Sequence, residues 1–161
     1  MKNLYVGLDT AETMGVALYY PKNRLALVTE VKGTPIEQYI YITNNILLPI
    51  GNDKEQVLFI IEKLTNFLNA KTTRSLLERI GYLKYTLLSN GQLVEELAPT
   101  IARKTLGIRS NKRTVQLLFQ KYTEMKLSDN HTDALALVVH RAVQDGYPLN
   151  IGETTIKEFE T

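Results

Sequence analysis

Apolar residues come in short blocks at the start of the chain and in helical stripes later on. Residues 4–8, 15–20 and 24–31 are apolar, β-prone runs, separated by the polar breaks Ala11-Glu12-Thr13 and Pro21-Lys22-Asn23. Runs of that length between turn formers predict strands, and connections so short predict an antiparallel meander. Residues 34–48 predict a helix, with Thr34 as N-cap, Pro35 at the first helical position, and Ile36, Ile40 and Leu47 among its apolar positions. Residues 57–61 are wholly apolar and end at Glu62, the pattern of a buried central strand. A loop is expected over 66–73. An amphipathic helix should then run over 73–88, with Leu76, Ile80, Leu83 and Leu87 on one stripe and Asn90-Gly91 closing it. Residues 93–97 predict a strand, and a short helix starts at Pro99 and ends near Gly107. Helices follow over 111–125 and 132–143; beyond Gly146 no pattern is evident.

Strands first and helices later imply an α/β fold built on a mixed five-stranded sheet, an antiparallel meander followed by parallel strands, with helices on both faces. No repeat or linker interrupts 161 residues, so one domain over 1–161 is expected.

Composition narrows the chemistry. Without cysteine, disulfides and thiolate zinc sites are excluded. Hydrophobic residues at 44% and charged ones at 22% suit a soluble globular chain. No apolar run reaches the roughly 18 residues needed to span a bilayer. The first residues lead straight into a strand rather than a signal peptide, so a cytoplasmic location without membrane contact is expected. The net charge of +2 conceals a strong polarity: residues 62–126 hold 12 Lys or Arg against 5 Asp or Glu, and the remainder 7 against 12. Residues 99–126 carry Arg103, Lys104, Arg109, Lys112, Arg113, Lys121 and Lys126 against Glu124 alone. Such a chain suits contact with a polyanion through one face and cations held by another; a solvated helical face is the plain alternative.

Four carboxylates fall where elements end. Asp9 closes the first strand, Glu62 closes the central one, and Asp129 and Asp133 bracket the start of the last helix. Asp129 or Ser128 would serve as its N-cap. Asp133 precedes the apolar run Ala134-Leu135-Ala136-Leu137-Val138-Val139 and lies on the same helix side as Asp129. Carboxylates gathered in this way repel one another and call for a cation. Oxygen-only ligands favour Mg²⁺ or Mn²⁺, and two such ions suit phosphodiester hydrolysis. Asp9 would then bridge the ions, Glu62 and Asp133 would each complete one, and Asp129 would assist. With only two histidines and no cysteine, no nucleophile triad competes, and no phosphate-binding loop of the G-x-x-x-x-G-K-[ST] type occurs.

The motifs resemble, in order, those of the RuvC family of Holliday junction resolvases. Val6-Gly7-Leu8-Asp9 followed by Gly15-Val16-Ala17 is similar to that family's opening hairpin, and Phe59-Ile60-Ile61-Glu62-Lys63 to its second acidic strand. Leu97-Ala98-Pro99 through Arg103-Lys104-Thr105-Leu106-Gly107 resembles its basic helix, Ser110-Asn111-Lys112-Arg113-Thr114-Val115-Gln116 the segment after it, and Asp133-Ala134-Leu135-Ala136 its closing motif. The resemblance spans about residues 3 to 143. It implies a ribonuclease-H-like fold and a homodimer that nicks opposing strands of a four-way DNA junction in a bacterial or phage-infected cell. It also implies Asp9, Glu62 and Asp133 as metal ligands, with Lys104 or Arg103 together with Lys112 as phosphate contacts. The sequence departs from the family at the remaining ligand, normally three residues before the last Asp, where it has Asn130. Asp129 is the expected replacement, with Asn130 and His131 as alternatives. Where the family wedges an aromatic side chain into the junction this chain has Thr65, and nearby Phe67 is the candidate, a buried Phe67 being the competing expectation. Leu77, Tyr85 and Leu88, off the main stripe of the 73–88 helix, suit a dimer contact or two-sided packing. His140, amid apolar neighbours, reads as a core residue.

Three rivals remain. A nuclease of the same fold acting on RNA–DNA hybrids would use the same carboxylates. A non-catalytic junction-binding protein would keep only the basic face. An actin-like sugar-kinase fold would need a duplicated domain, for which 161 residues are too few.

Overall fold

The computed structural model describes residues 1–106 and 111–160. Its centre is a sheet in the order β5-β4-β1-β2-β3-β6. The expected meander is β1 (Leu4–Asp9), β2 (Thr13–Tyr20) and β3 (Leu25–Lys32), antiparallel throughout. The apolar run after it is β4 (Val57–Glu62), which lies parallel to β1 in the middle of the sheet, with β5 (Leu93–Leu97) parallel beyond it. The sheet has six strands rather than the five expected. The sixth, β6 (Thr155–Glu158), adds in parallel to β3 at the far edge. It is four residues long and buries Ile156 alone, too short a run to leave a periodic signal.

Alternation along the strands sorts side chains into two cores. Tyr5, Ala17, Leu58 and Ile60 face α4 (Pro99–Lys104), α5 (Lys112–Gln120) and α6 (Asp129–Gln144). Val6, Leu8, Val16, Phe59 and Ile61 face α1 (Pro35–Ile42) and α3 (Ala70–Ser89). Helices therefore cover both faces, as the patterning predicted.

Local signals account for the helix starts. Thr34 accepts a hydrogen bond from the Glu37 N–H, while the Glu37 carboxylate accepts one from the Thr34 N–H, closing a capping box ahead of Pro35. The helix does not run unbroken to residue 48: it passes through a π turn (Thr43–Leu47) into the short α2 (Leu48–Ile50). α3 begins at Ala70, capped by Asn69, so it takes in residues that the sequence assigned to a loop. Leu76, Ile80, Leu83 and Leu87 form its inner stripe, the last three buried. An edge-to-face contact between Tyr39 and Tyr82 joins α1 to α3. Among the described residues no helix is long and apolar enough to cross a membrane.

Two glycines set where α6 lies. A Cβ on Gly7 would come within 2.5 Å of the Ala134 carbonyl oxygen, and one on Gly15 would run into the Asn130 carbonyl. Without side chains at these positions, the first turns of α6 rest directly on β1 and β2.

Candidate metal and nucleic-acid site

Asp9 and Glu62 are brought together by register and parity. β1 and β4 are parallel, with Leu8 opposite Ile61, so the residues that follow are neighbours at the same edge of the sheet. Gly7 faces α6, so Asp9, two residues on, faces it too; Glu62 follows Leu58 and Ile60 on that same face. Asp133 immediately precedes Ala134, whose carbonyl touches Gly7, and is thereby held over the end of β1. Asp9 and Asp133 are both buried, at 7% and 6% exposure.

Charge at this edge is only partly compensated. The Asp9 carboxyl is driven well above the ordinary carboxylate range, first by burial, then by a hydrogen bond shared with Glu62 and by the negative charges of Glu62 and Asp133. Such a carboxyl–carboxylate bond contains a proton. Asp133 is met by two cations: Lys112 Nζ lies 2.7 Å from Oδ2 and Arg103 Nη2 lies 3.5 Å from Oδ1. Burial alone would weaken the Lys112 charge, but the hydrogen bond to Asp133 and the fields of Asp133, Asp129 and Asp9 leave its pKa raised.

α6 also divides the candidates for the fourth position. Ser128 is the N-cap: its hydroxyl accepts from the His131 N–H, and its own N–H donates to His131 Nδ1. His131 is thus engaged in capping, and burial lowers its pKa, against the opposing pull of Glu30 and Glu158. Asn130 donates to Glu30 on β3 at 3.0 Å, and Ser128 Oγ donates to the same carboxylate, which holds Glu30 below its ordinary pKa. Both Asn130 and His131 are therefore tied to the β3 side. Asp129, released from the cap by Ser128, lies 3.9 Å from Lys112 Nζ, on the Asp133 side, with its side chain largely exposed.

Among the described residues no three His, Asp or Glu side chains stand close enough together to hold a metal ion. Asp133 is turned to Lys112 and Arg103, and Asp129 extends into solvent. The donor chemistry nevertheless fits a hard divalent cation. All four donors are carboxylates, two are buried, and a cation, the Lys112 ammonium, already stands among them.

Glu62, Asp133, Arg103 and Lys112 open onto a cleft of about 230 Å³, walled by Leu68, Leu76, Ile80 and Pro99. Beside it Lys104 and Arg113 are exposed at the ends of α4 and α5, while the Arg103 side chain is largely buried, with Nε unpartnered among the described residues. Arg109 lies outside the described residues. Phe67 is 72% exposed on the loop that follows β4, so the expectation of a buried Phe67 does not hold. His140 is buried against Thr105, as expected of a core residue. A brace under the site escaped the sequence reading. Gln38, wholly buried, donates to the Ala11, Glu12 and Val31 carbonyls, and Arg79 Nη1 donates to Gly33 O and Gln38 Oε1, so α1 and α3 clamp the turn after Asp9. A lone Gln in a helix gives no signal of its own; only the burial reveals its task.

No protein-family model matches the sequence, and no curated protein matches it. Solved structures do, among them T. thermophilus RuvC in complex with Holliday junction substrate, with TM-score 0.67 and 14% identity, and Thermus thermophilus RuvC alone, with TM-score 0.64 and 15% identity. Each of these two matches covers 89% of this chain and 97% of the other. With most of both chains superposed, the chain has the ribonuclease-H-like fold of RuvC.

Proposed function

We propose that the chain is a metal-dependent endonuclease that resolves four-way DNA junctions by paired nicking, acting as a homodimer. The observation that carries this reading is the convergence of Asp9, Glu62 and Asp133 at one sheet edge, beneath the basic helices α4 and α5. Asp9, Glu62, Asp133 and Asp129 would hold Mg²⁺ or Mn²⁺, two ions in all. Bound there, such ions supply the charge neutralisation and Lewis acidity that phosphodiester hydrolysis needs. Asp129 is favoured as the fourth ligand because Asn130 and His131 are engaged toward Glu30 and the helix cap.

The chain's own residues supply the rest. Arg103 and Lys112, which line the cleft, and Lys104 and Arg113, exposed at the ends of α4 and α5, would meet phosphates. Phe67, exposed on the loop that follows β4, would stack on an unpaired base at the branch point. The outer stripe of α3, Leu77, Tyr85 and Leu88, would form the dimer contact and set two sites against opposing strands. The match to a RuvC–junction complex supports branched DNA as the substrate.

Cleavage of a synthetic four-way junction in Mg²⁺, in Mn²⁺ and in EDTA, with linear duplex and RNA–DNA hybrid as competitors, tests the proposal. Paired symmetric nicks that require metal are expected. Asp9→Asn should reduce cutting about a hundredfold or more yet keep junction binding, since it removes a metal ligand and leaves the basic helices intact. Cutting confined to the hybrid would overturn the junction reading, and binding without cutting in either metal would overturn the nuclease reading.

A further inference from the structure

Lys112 sits where the carboxylates call for a cation. Its ammonium is 2.7 Å from Asp133 and 3.9 Å from Asp129, and Asp9 adds to the field that holds it charged. Each Asp133 oxygen has a cation beside it: Lys112 closely, on Oδ2, and Arg103 at 3.5 Å, on Oδ1. A divalent ion bound through either oxygen would stand next to one of these cations and repel it, so one of them must yield. Arg103 is the less able to leave, since its side chain is only 14% exposed. The Lys112 side chain is 43% exposed, on a flexible four-carbon stem at the first residue of α5. An ammonium and a divalent ion cannot share this space, because they repel at contact distance and compete for the same oxygens.

We infer that Lys112 is a tethered counter-ion of the acidic centre, which neutralises it in the metal-free protein and must swing out before a divalent cation can bind. The inference rests on the carboxylates being a metal centre, as proposed above, and adds that the chain carries its own competitor for it. That no carboxylate cluster among the described residues is drawn up to hold metal accords with this, since Asp133 is drawn toward Lys112. Metal affinity in the absence of DNA is then weaker than the ligand set alone would give. Phosphates that attract the lysine outward would strengthen metal binding, and by linkage metal would strengthen theirs.

The test is Mn²⁺ binding to the full chain without DNA, followed by the electron paramagnetic resonance of free Mn²⁺. Wild type is compared with Lys112→Met, which keeps the stem without the charge, and with Lys112→Gln, Lys112→Arg and Asp133→Asn. Both neutral variants should bind Mn²⁺ about tenfold more tightly, roughly the weight of one charge-assisted contact. Lys112→Arg should stay near wild type, and Asp133→Asn should lose most binding. Thermal melts in EDTA should show both neutral variants folded but less stable than wild type, an effect that added Mn²⁺ reverses. Saturable, Asp133-dependent binding with equal or weaker affinity in both neutral variants would overturn the counter-ion role while leaving the metal centre standing. Failure of every variant to bind Mn²⁺ would overturn both together.

Discussion

Asp9 shows how much of the site's energetics reside in a single side chain. In the folded protein its carboxyl keeps a proton that the unfolded chain releases above about pH 3.8, because burial and the adjoining Glu62 and Asp133 disfavour its charge. The folded state thus binds more protons than the unfolded state above that value, so the metal-free protein should lose stability as pH rises from there through neutrality. Below 3.8 both states are protonated and the penalty vanishes. Asp9→Asn removes the titration. In EDTA its melting temperature should vary less with pH and exceed wild type at pH 8 by a few °C, on the order expected for 1–2 kcal/mol in a domain of this size. Melts across pH 4–9 check this; parallel profiles for the two proteins would show that Asp9 ionises freely.

At the scale of elements, the placement of α6 decides whether the carboxylates meet. Gly15 lies on β2 beneath the first turn of α6, and a Cβ there would collide with the Asn130 backbone, which cannot rotate out of the way as a side chain could. Gly15→Ala should therefore cost about 3 kcal/mol, the upper range for overpacking, and lower the melting temperature by roughly 6–12 °C. It should also lift Asp129 and Asp133 from Asp9, so cleavage should fall further than the lost stability explains at temperatures where the variant remains folded. Wild-type melting and cutting would show that the helix has room to shift. Element types were largely legible because each is dictated by local patterns: alternation or apolar runs for β1 to β4, Thr34-Pro35 for α1, the Leu-Ile stripe for α3. The misreadings arise where that local logic is weak. β6 is too short to show alternation, residues 70–72 carry no large apolar side chain and joined α3 only through the Asn69 cap, and the π turn in the first helical segment leaves no mark in composition.

For the whole molecule, the division between a basic helical layer and an acidic sheet edge is what makes a nuclease reading coherent, and the exposed stripe of α3 is what makes a dimer so. Leu77, Tyr85 and Leu88 are exposed at 49%, 73% and 48%, which rules out the alternative that they serve two-sided packing within the chain. Tyr85→Glu would place a charge in the middle of the proposed contact. It should yield a folded monomer by light scattering, with junction resolution reduced to unpaired nicks. A dimer of unchanged mass would place the contact elsewhere on the molecule.

By itself the sequence determined the class of the sheet, the helices on both of its faces, and the four carboxylates worth watching, since strand and helix periodicity and chain-end chemistry are local properties. Only the tertiary structure decided which of them meet. The parallel register of β1 and β4 joins Asp9 to Glu62, and the two glycines bring Asp133 down beside them. The Ser128 cap and Glu30 draw His131 and Asn130 aside, while the exposure of Phe67 and the hold of Lys112 on Asp133 depend on packing between segments far apart in the chain. Such contacts balance burial against charge across long sequence separations, and that balance exists only once the chain has folded.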